Sequence, residues 1–432
     1  MEARPVSAHD QPRAMLRRLF DEAVAAVSAE RCVPAAIGQE PINGRTLLLA
    51  VGKGAAAMSA VAARHMKAPL SGLVVTRHGH SGPPHVLPPG LELIEAGHPV
   101  PDDDSLYAAQ RALELAGALG PSDRLVMLVS GGGSALLTLP VPGVTLADKQ
   151  VVTQALLRSG ATIGEINSVR KHLSLIKGGR LAVAAAPAQV TTLIISDVPG
   201  DDPSFVASGP TVADTTTLEI AREIIARYGI DVPANVAAAL ADSANETPPS
   251  DAMGLAGGTV RVIAVARDAL NAARRLAEGE GYKVTDLGDH LQAEARHLGA
   301  GHAALARRVA ADGQKRVILS GGETTVRVTN PDGRGGRNLE YLLGLAIELD
   351  GAPRIHAIAC DTDGIDGTED NAGAIVTPDT LARARALGLD ARAMLDANDA
   401  YRFFEALGDL VVTGPTRTNV NDLRAILIEG AS

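Results

Sequence analysis

Thr46–Met58 reads TLLLAVGKGAAAM: an apolar run, a Gly-Lys-Gly turn, then an alanine-rich stretch. The run does not alternate with polar residues, so both of its faces must be buried, as in a strand inside a parallel sheet. A glycine turn leading straight into helix formers completes the strand–turn–helix unit of an α/β fold. The rhythm recurs downstream in GLVVTRHG (72–79), LELIEAG (91–97), RLVMLVSGGGS (124–134) and VTTLIISDV (190–198). It resumes with VRVIAVARDA (260–269) and YKVTDLG (282–288), followed by an Ala/Arg helix over about residues 290–311. Upstream, Met15, Leu19, Ala23 and Ala26 are spaced as on one face of an opening helix.

With 432 residues the chain exceeds the size at which one core keeps growing, so two domains are expected. Ser243–Gly258 (SANETPPSDAMGLAGG) has linker composition, which places the domains at 1–250 and 251–432. The second sheet is expected to be mixed, because RVILSGGETTVRVTNPDG (316–333) can supply an antiparallel pair. Aromatic residues make up 2% of the chain and the net charge is −10, which argues against a nucleic-acid partner. No apolar run is long enough to span a membrane. Cys32 and Cys360 have no metal-site spacing and suit a reducing cytoplasm.

Candidate chemistry clusters where predicted strands end, which is where open α/β sheets bind ligands. Gly52, Gly54 and Ala57 satisfy a dinucleotide pattern, but the next strand ends in Thr76, Arg77 and His78 rather than the acid a ribose needs. Arg77 can serve a 2′-phosphate, so a nicotinamide-linked reductase stays open. Lys53, one of seven lysines, sits in the turn itself. Ser130, Gly131, Gly132, Gly133 and Ser134 follow a strand and open a helix, so their amides can cradle an anion.

The run Ile166–Ala182 gathers Arg170, Lys171, His172, Lys177 and Arg180, either as a solvated basic face or as a lure for a phosphorylated ligand. Asp197 ends an apolar strand, where a carboxylate can bind a metal or take a proton; Asp201 and Asp202 read as turn caps. The acids of Pro101–Ser105 similarly read as helix caps. Gly321 and Gly322 carry Glu323, and a basic glycine loop carries Arg334, Arg337 and Asn338. Asp361 and Asp363 follow the next strand. Ile365 breaks a calcium-loop pattern, so Mg²⁺ held by Glu323, Asp361 and Asp363 together with phosphate oxygens is the expected arrangement.

Nine ordered motifs carry a resemblance: GKGAAAM, GHPVPD, VSGGGSALL, INSVRKHLSLIKGGRLA, ISDVPGDDPSFVASGPT, SGGET, GRGGRNLE, DTDGIDGTEDNAGAIV and TNVNDL. In this order they resemble the class II glycerate kinases (glycerate 2-kinases, MOFRL family), from about Arg13 onward. The resemblance implies a larger Rossmann-like N-terminal domain, a smaller C-terminal domain and a site in the cleft. It implies ATP- and Mg²⁺-dependent phosphorylation of D-glycerate at its 2-hydroxyl, with Lys53, Asp197 and Arg337 as active-site residues. It leaves a homodimer open. Some family members carry the label hydroxypyruvate reductase, which makes an NAD(P)H-dependent reductase the alternative. Leu339 and Arg417 stand where the family commonly has Gln and Gly.

Overall fold

The computed structural model describes residues 11–37, 44–66, 70–82 and 87–431. It divides into two compact units, one from Ala29 to Ala264 and one that joins the N-terminal residues up to Ser28 to the chain from Val265 onward.

In the first unit, β1 (Thr46–Val51), β2 (Leu70–Arg77), β3 (Leu91–Ala96), β4 (Arg124–Val129), β5 (Gln189–Ile195) and β6 (Thr259–Ala264) form one sheet. Its order is β3-β2-β1-β4-β5-β6, and each pairing is parallel. This is the order of dinucleotide-binding sheets, with the topological switch between β1 and β4. Every residue of β1 is buried. Leu47, Leu49 and Val51 share a core with Ala108, Ala109, Ala112 and Ala116 of the helix Asp103–Gly117. Leu48 and Ala50, on the opposite face, are equally covered. That two-sided burial is why the sequence shows no alternation. The helix Asp103–Gly117 is started by a capping box in which Asp102 accepts from the Ser105 amide, as the acid run suggested.

In the second unit, β7 (Lys283–Asp286), β8 (Arg316–Ser320), β9 (Ile355–Asp361), β10 (Gly373–Val376), β11 (Leu410–Val411) and β12 (Asp422–Ile428) pair in the order β11-β10-β9-β12-β8-β7. β7 and β8 are parallel and the remaining pairs antiparallel, so the sheet is mixed. The expected antiparallel partner within 316–333 is not the one used. Instead β12 inserts between β8 and β9, and Gly322 and Thr325 make only isolated bridges to Leu291 and Glu294. An all-buried strand such as β12 gains more in the centre of a sheet than a short polar hairpin would.

The division between units also differs from the expected 250/251. Ser243–Gly258 connects helices to β6, and β6 completes the first sheet beside β5. At the other end, the helix Gln11–Ala26 buries Leu16, Leu19, Phe20 and Ala23 within the second unit. No helix of the described residues is long and apolar enough to cross a membrane.

Candidate active site

The first unit places its polar residues past the carboxyl ends of β1, β4 and β5. Turns after β1 and β4 are laced together: Lys53 N donates to Gly131 O at 2.9 Å, Gly54 N to Ser130 Oγ at 2.9 Å and Ser130 N to Val51 O at 3.0 Å. Gly52 has φ +124, and a Cβ there would lie 2.3 Å from Ser130 Oγ, so only glycine permits the closure. The amides that would hold a dinucleotide pyrophosphate are therefore spent inside the fold. The pattern Gly52–Ala57 therefore serves the closure of this turn.

Lys53 lies against the second turn, where a Cβ on Gly132 would stand 3.4 Å from Lys53 Cγ and 3.0 Å from the His98 ring. Burial first, then the charges of Lys53 and Arg77, pull His98 down to about 3. Burial, Arg77 and Lys53 likewise pull His80 down to about 4. Both imidazoles are neutral at pH 7, which leaves the positive charge of this edge with Lys53 and Arg77. Neither histidine was singled out from the sequence, because only the folded edge brings them beside Lys53.

The helix opened by the glycine turn is a single turn, Gly133–Leu136, so its dipole adds less than the sequence suggested. Ser134 Oγ meets Ser208 Oγ at 2.7 Å, and Ser208 Oγ donates to Asn167 Oδ1 at 3.0 Å. Ala207 and Ser208 are consecutive non-glycine residues at φ +52 and +61, a conformation that costs about 1–3 kcal/mol per residue and concentrates at functional sites. Asp197 is half-buried two residues past β5. Since β1 and β5 flank β4 and strands lie about 4.8 Å apart, Lys53 and Asp197 leave the sheet about 10 Å from each other along its edge. Asp202 accepts from Ser204 N at 2.8 Å, the expected turn cap.

The basic run is not a solvated face. Its helix ends at His172, and Lys171 and Lys177 are each 1% exposed. Lys177 Nζ donates to the carbonyls of Ser134 and Leu137, both at 2.8 Å, so it braces the glycine turn from behind. Arg170 is half-buried on the same helix as Asn167.

In the second unit, β8 and β9 end, and β12 begins, at one edge of the sheet, with Asp422 directly opposite Asp361. Arg337 opens the helix Arg337–Leu349 there. Its Nε contacts both oxygens of Asp422 at 2.9 Å, Nη2 donates to Asp361 at 2.8 Å and Nη1 to Glu323 at 3.1 Å. Burial opposes its charge, yet Asp422, Asp361 and Glu323 more than offset that and hold its pKa well above the ordinary arginine value. Behind it, the fully buried Arg424 donates to Asp422 at 2.6 Å and to Gly321 O at 3.0 Å. Asp366 caps the helix by accepting from the amides of Asn338 and Leu339, each at 3.0 Å. Burial, offset in part by those amides, pushes the Asp366 carboxyl up to about 7.

Several expected roles change with this geometry. Gly321 N donates to Gly288 O, and the Gly321 and Gly322 carbonyls face Arg424, so both glycines serve the fold. Arg334 pairs with Glu369 and stacks on Tyr401 at 4.2 Å, a brace for the loop. Asn338 is buried and positions Asp422 through a 2.9 Å bond. Leu339 lies in the apolar core. Glu323, Asp361 and Asp363 do not gather as a metal trio. Arg337 stands between the first two, and Asp363 accepts from Ile365 N at 2.8 Å. Among the described residues the group of three with metal-ligand closeness is His78, Asp102 and Asp104, where Asp102 is already the helix cap. A cavity of about 290 Å³ opens beside Arg337, lined by Thr324, Gly336, Gly367 and Asn398 among others. A larger hollow of about 570 Å³ around Asp350, Arg385 and Arg392 lacks convergent chemistry.

Asp422 and Arg424 are the residues the sequence reading passed over. Their signal was an acid and a base two apart, hence on one strand face, directly after TNVN.

Two α/β units, a parallel sheet with a closed β1 turn and a mixed sheet with an arginine set among acids define a class with solved members. A crystal structure of a glycerate kinase from Thermotoga maritima matches with a TM-score of 0.84 at 37% identity, covering 97% of this chain and 100% of that one. Residues 15–241 match the model of the Domain of unknown function (DUF4147), and residues 316–422 that of the MOFRL family. The D-glycerate 2-kinase of Thermotoga maritima is 39% identical over 94% of this chain and 95% of its own. A protein of Agrobacterium vitis, provisionally named as a hydroxypyruvate reductase, is 53% identical over 96% of this chain and 94% of its own. The chain belongs to the class II glycerate kinase, or MOFRL, family.

Proposed function

We propose that this protein is an ATP-dependent kinase that moves the γ-phosphate to the 2-hydroxyl of D-glycerate, giving 2-phosphoglycerate and ADP in the cytoplasm. The observation that carries the choice over a reductase is the closure of the β1 turn. Lys53 N and Gly54 N are bonded to Gly131 O and Ser130 Oγ, so a nicotinamide dinucleotide has no pyrophosphate seat there, while the Lys53 side chain remains at the glycine turn of β4.

Phosphoryl transfer runs through a loose transition state whose charge spreads over the equatorial oxygens, so positioning and charge neutralisation dominate catalysis. Lys53 supplies positive charge in the first unit. Asp197 orients the attacking hydroxyl and takes its proton. In the second unit Arg337 is held by Asp422 and Asp361, which are 0% and 6% exposed, whereas Glu323 is 47% exposed. Nη1 is therefore the donor that can exchange its carboxylate for a phosphate oxygen. Mg²⁺ would accompany the triphosphate and neutralise part of its charge, held by phosphate oxygens, waters and one or two of the carboxylates Glu323, Asp361 and Asp363.

The test is a pair of assays on the pure protein. D-glycerate with MgATP should yield ADP and a product that enolase consumes without a mutase. Hydroxypyruvate with NADH or NADPH should leave the nicotinamide absorbance unchanged. Nicotinamide oxidation without ADP formation overturns the reading.

A further inference from the structure

Behind the glycine turn lies positive charge that the reaction above does not use. Lys149, on the helix Leu146–Ser159, is 5% exposed, and its Nζ has no hydrogen-bond partner among the described residues. Burying an ammonium without a partner is strongly unfavourable. Its surroundings deepen the problem: burial, then the charges of Arg170 and Arg180, pull Lys149 down to about 7. Burial alone pulls Arg170 down to about 10, with no carboxylate opposing it. Lys177 in turn feels burial, Arg170 and Lys149.

The other cations of this region are satisfied. Lys171 pairs with Asp214 at 3.0 Å, Arg180 donates to the carbonyls of Asn245 and Glu246 at 2.6 and 3.0 Å, and Lys177 holds Ser134 O and Leu137 O. Asp148, next to Lys149 in the chain, is engaged by Thr145 and Asn235. What remains is two covered like charges on adjacent helices, in a chain whose net charge is −10. Clustered cations of this kind are relieved by an anion that binds them jointly.

We propose that Lys149 and Arg170 form the seat of a compact oxyanion, and that this anion is the carboxylate of the hydroxy-acid acceptor. The existence of the seat stands on the buried, unpartnered Lys149 ammonium beside the Arg170 charge; the identity of its occupant rests on the kinase reading. A carboxylate is favoured because the planar guanidinium of Arg170 matches it with two parallel donors, and the Lys149 ammonium adds a third. Arg170 is the half-buried member, so the anion enters past it. Lys177 links the seat to the site, since its Nζ holds the carbonyl of Ser134 at the end of the glycine turn.

The experiment titrates D-glycerate, and separately inorganic phosphate, into nucleotide-free protein at pH 8, by calorimetry in two buffers of different ionisation heat. D-glycerate should bind with uptake of a fraction of a proton, because the bound anion restores the Lys149 ammonium against burial and the fields of Arg170 and Arg180. Lys149→Met should weaken D-glycerate by at least about tenfold, abolish the uptake, leave ATP affinity unchanged and melt no lower than wild type. A lysine with a merely structural role would lower the melting point instead. Unchanged D-glycerate binding in both Lys149→Met and Arg170→Ala overturns the proposal even if the protein is an active kinase. Phosphate binding at these residues without D-glycerate binding overturns the carboxylate assignment. If no ADP forms but D-glycerate binds with a Lys149-dependent proton uptake, the kinase reading fails and the seat stands.

Discussion

The carboxyl edge of the parallel sheet and the polar edge of the mixed sheet hold their cations in opposite settings. In the first unit, burial, and after it the charges of Arg77 and Lys53, keeps two histidines neutral, and among the described residues no carboxylate is paired with Lys149 or Arg170. In the second, Arg337 and Arg424 are set among Asp422, Asp361 and Glu323. A charge already balanced inside the protein mainly fixes geometry, whereas a charge left unbalanced waits for a ligand. On the proposed reading the second edge mainly fixes geometry, with Arg337 Nη1 as its one exchangeable donor, while the first edge keeps charge in reserve for a ligand.

The comparison breaks most readily at Asp422. Asp422→Asn leaves the buried Arg424 and the part-buried Arg337 short of one counter-charge, so the second unit should lose about 3–5 kcal/mol in urea unfolding. A loss below about 1 kcal/mol would show that Arg337 is not fixed by its acids. On the other edge, Lys53→Ala should cut kcat/KM by about 10²–10³-fold, or about 2.7–4 kcal/mol of transition-state stabilisation, with a near wild-type melting point. A fall in melting point with activity per folded molecule retained would make Lys53 structural.

The smallest effect is the response to pH, which should differ in sign between the units. His80 and His98 have folded values of about 4 and about 3, depressed from 6.5. Their contribution is fully present above pH 6.5 and is lost as pH falls toward those values. Asp366 is raised from 3.8 to about 7, so its contribution is present below pH 3.8 and lost as pH rises through 7. Hydrogen exchange at pH 7.5 and pH 5, corrected for intrinsic rates, should show β1–β4 less protected at pH 5 and the helix Arg337–Leu349 more protected. Parallel losses in both would remove the distinction.

Much of the fold could be read from local pattern. The strands β1, β4 and β5 announce themselves through apolar runs, ended by glycine-rich turns after β1 and β4 and by Ser-Asp after β5, since two-sided burial writes itself directly into composition. β12 was missed because a strand gains its meaning from its neighbours, and its partners β8 and β9 lie far away in sequence. At the candidate site, Lys53 was legible as one of seven lysines in a glycine turn and Arg337 as an arginine in a glycine loop. The roles of Lys177, Gly321 and Arg334 were not, because residue type cannot tell a donor aimed at a ligand from one aimed at a nearby carbonyl or carboxylate.

The helix Gln11–Ala26 packs in the unit whose central strand is Asp422–Ile428, about 400 residues later. At ribosomal speeds of about 5–20 residues per second, that strand emerges roughly 20–80 s after the helix. During this interval the sheet that covers Leu16, Leu19 and Phe20 is incomplete, while the whole parallel unit can already close. This apolar stripe thus leaves the ribosome well before the strands that cover it, which makes it a natural grip for a chaperone during translation.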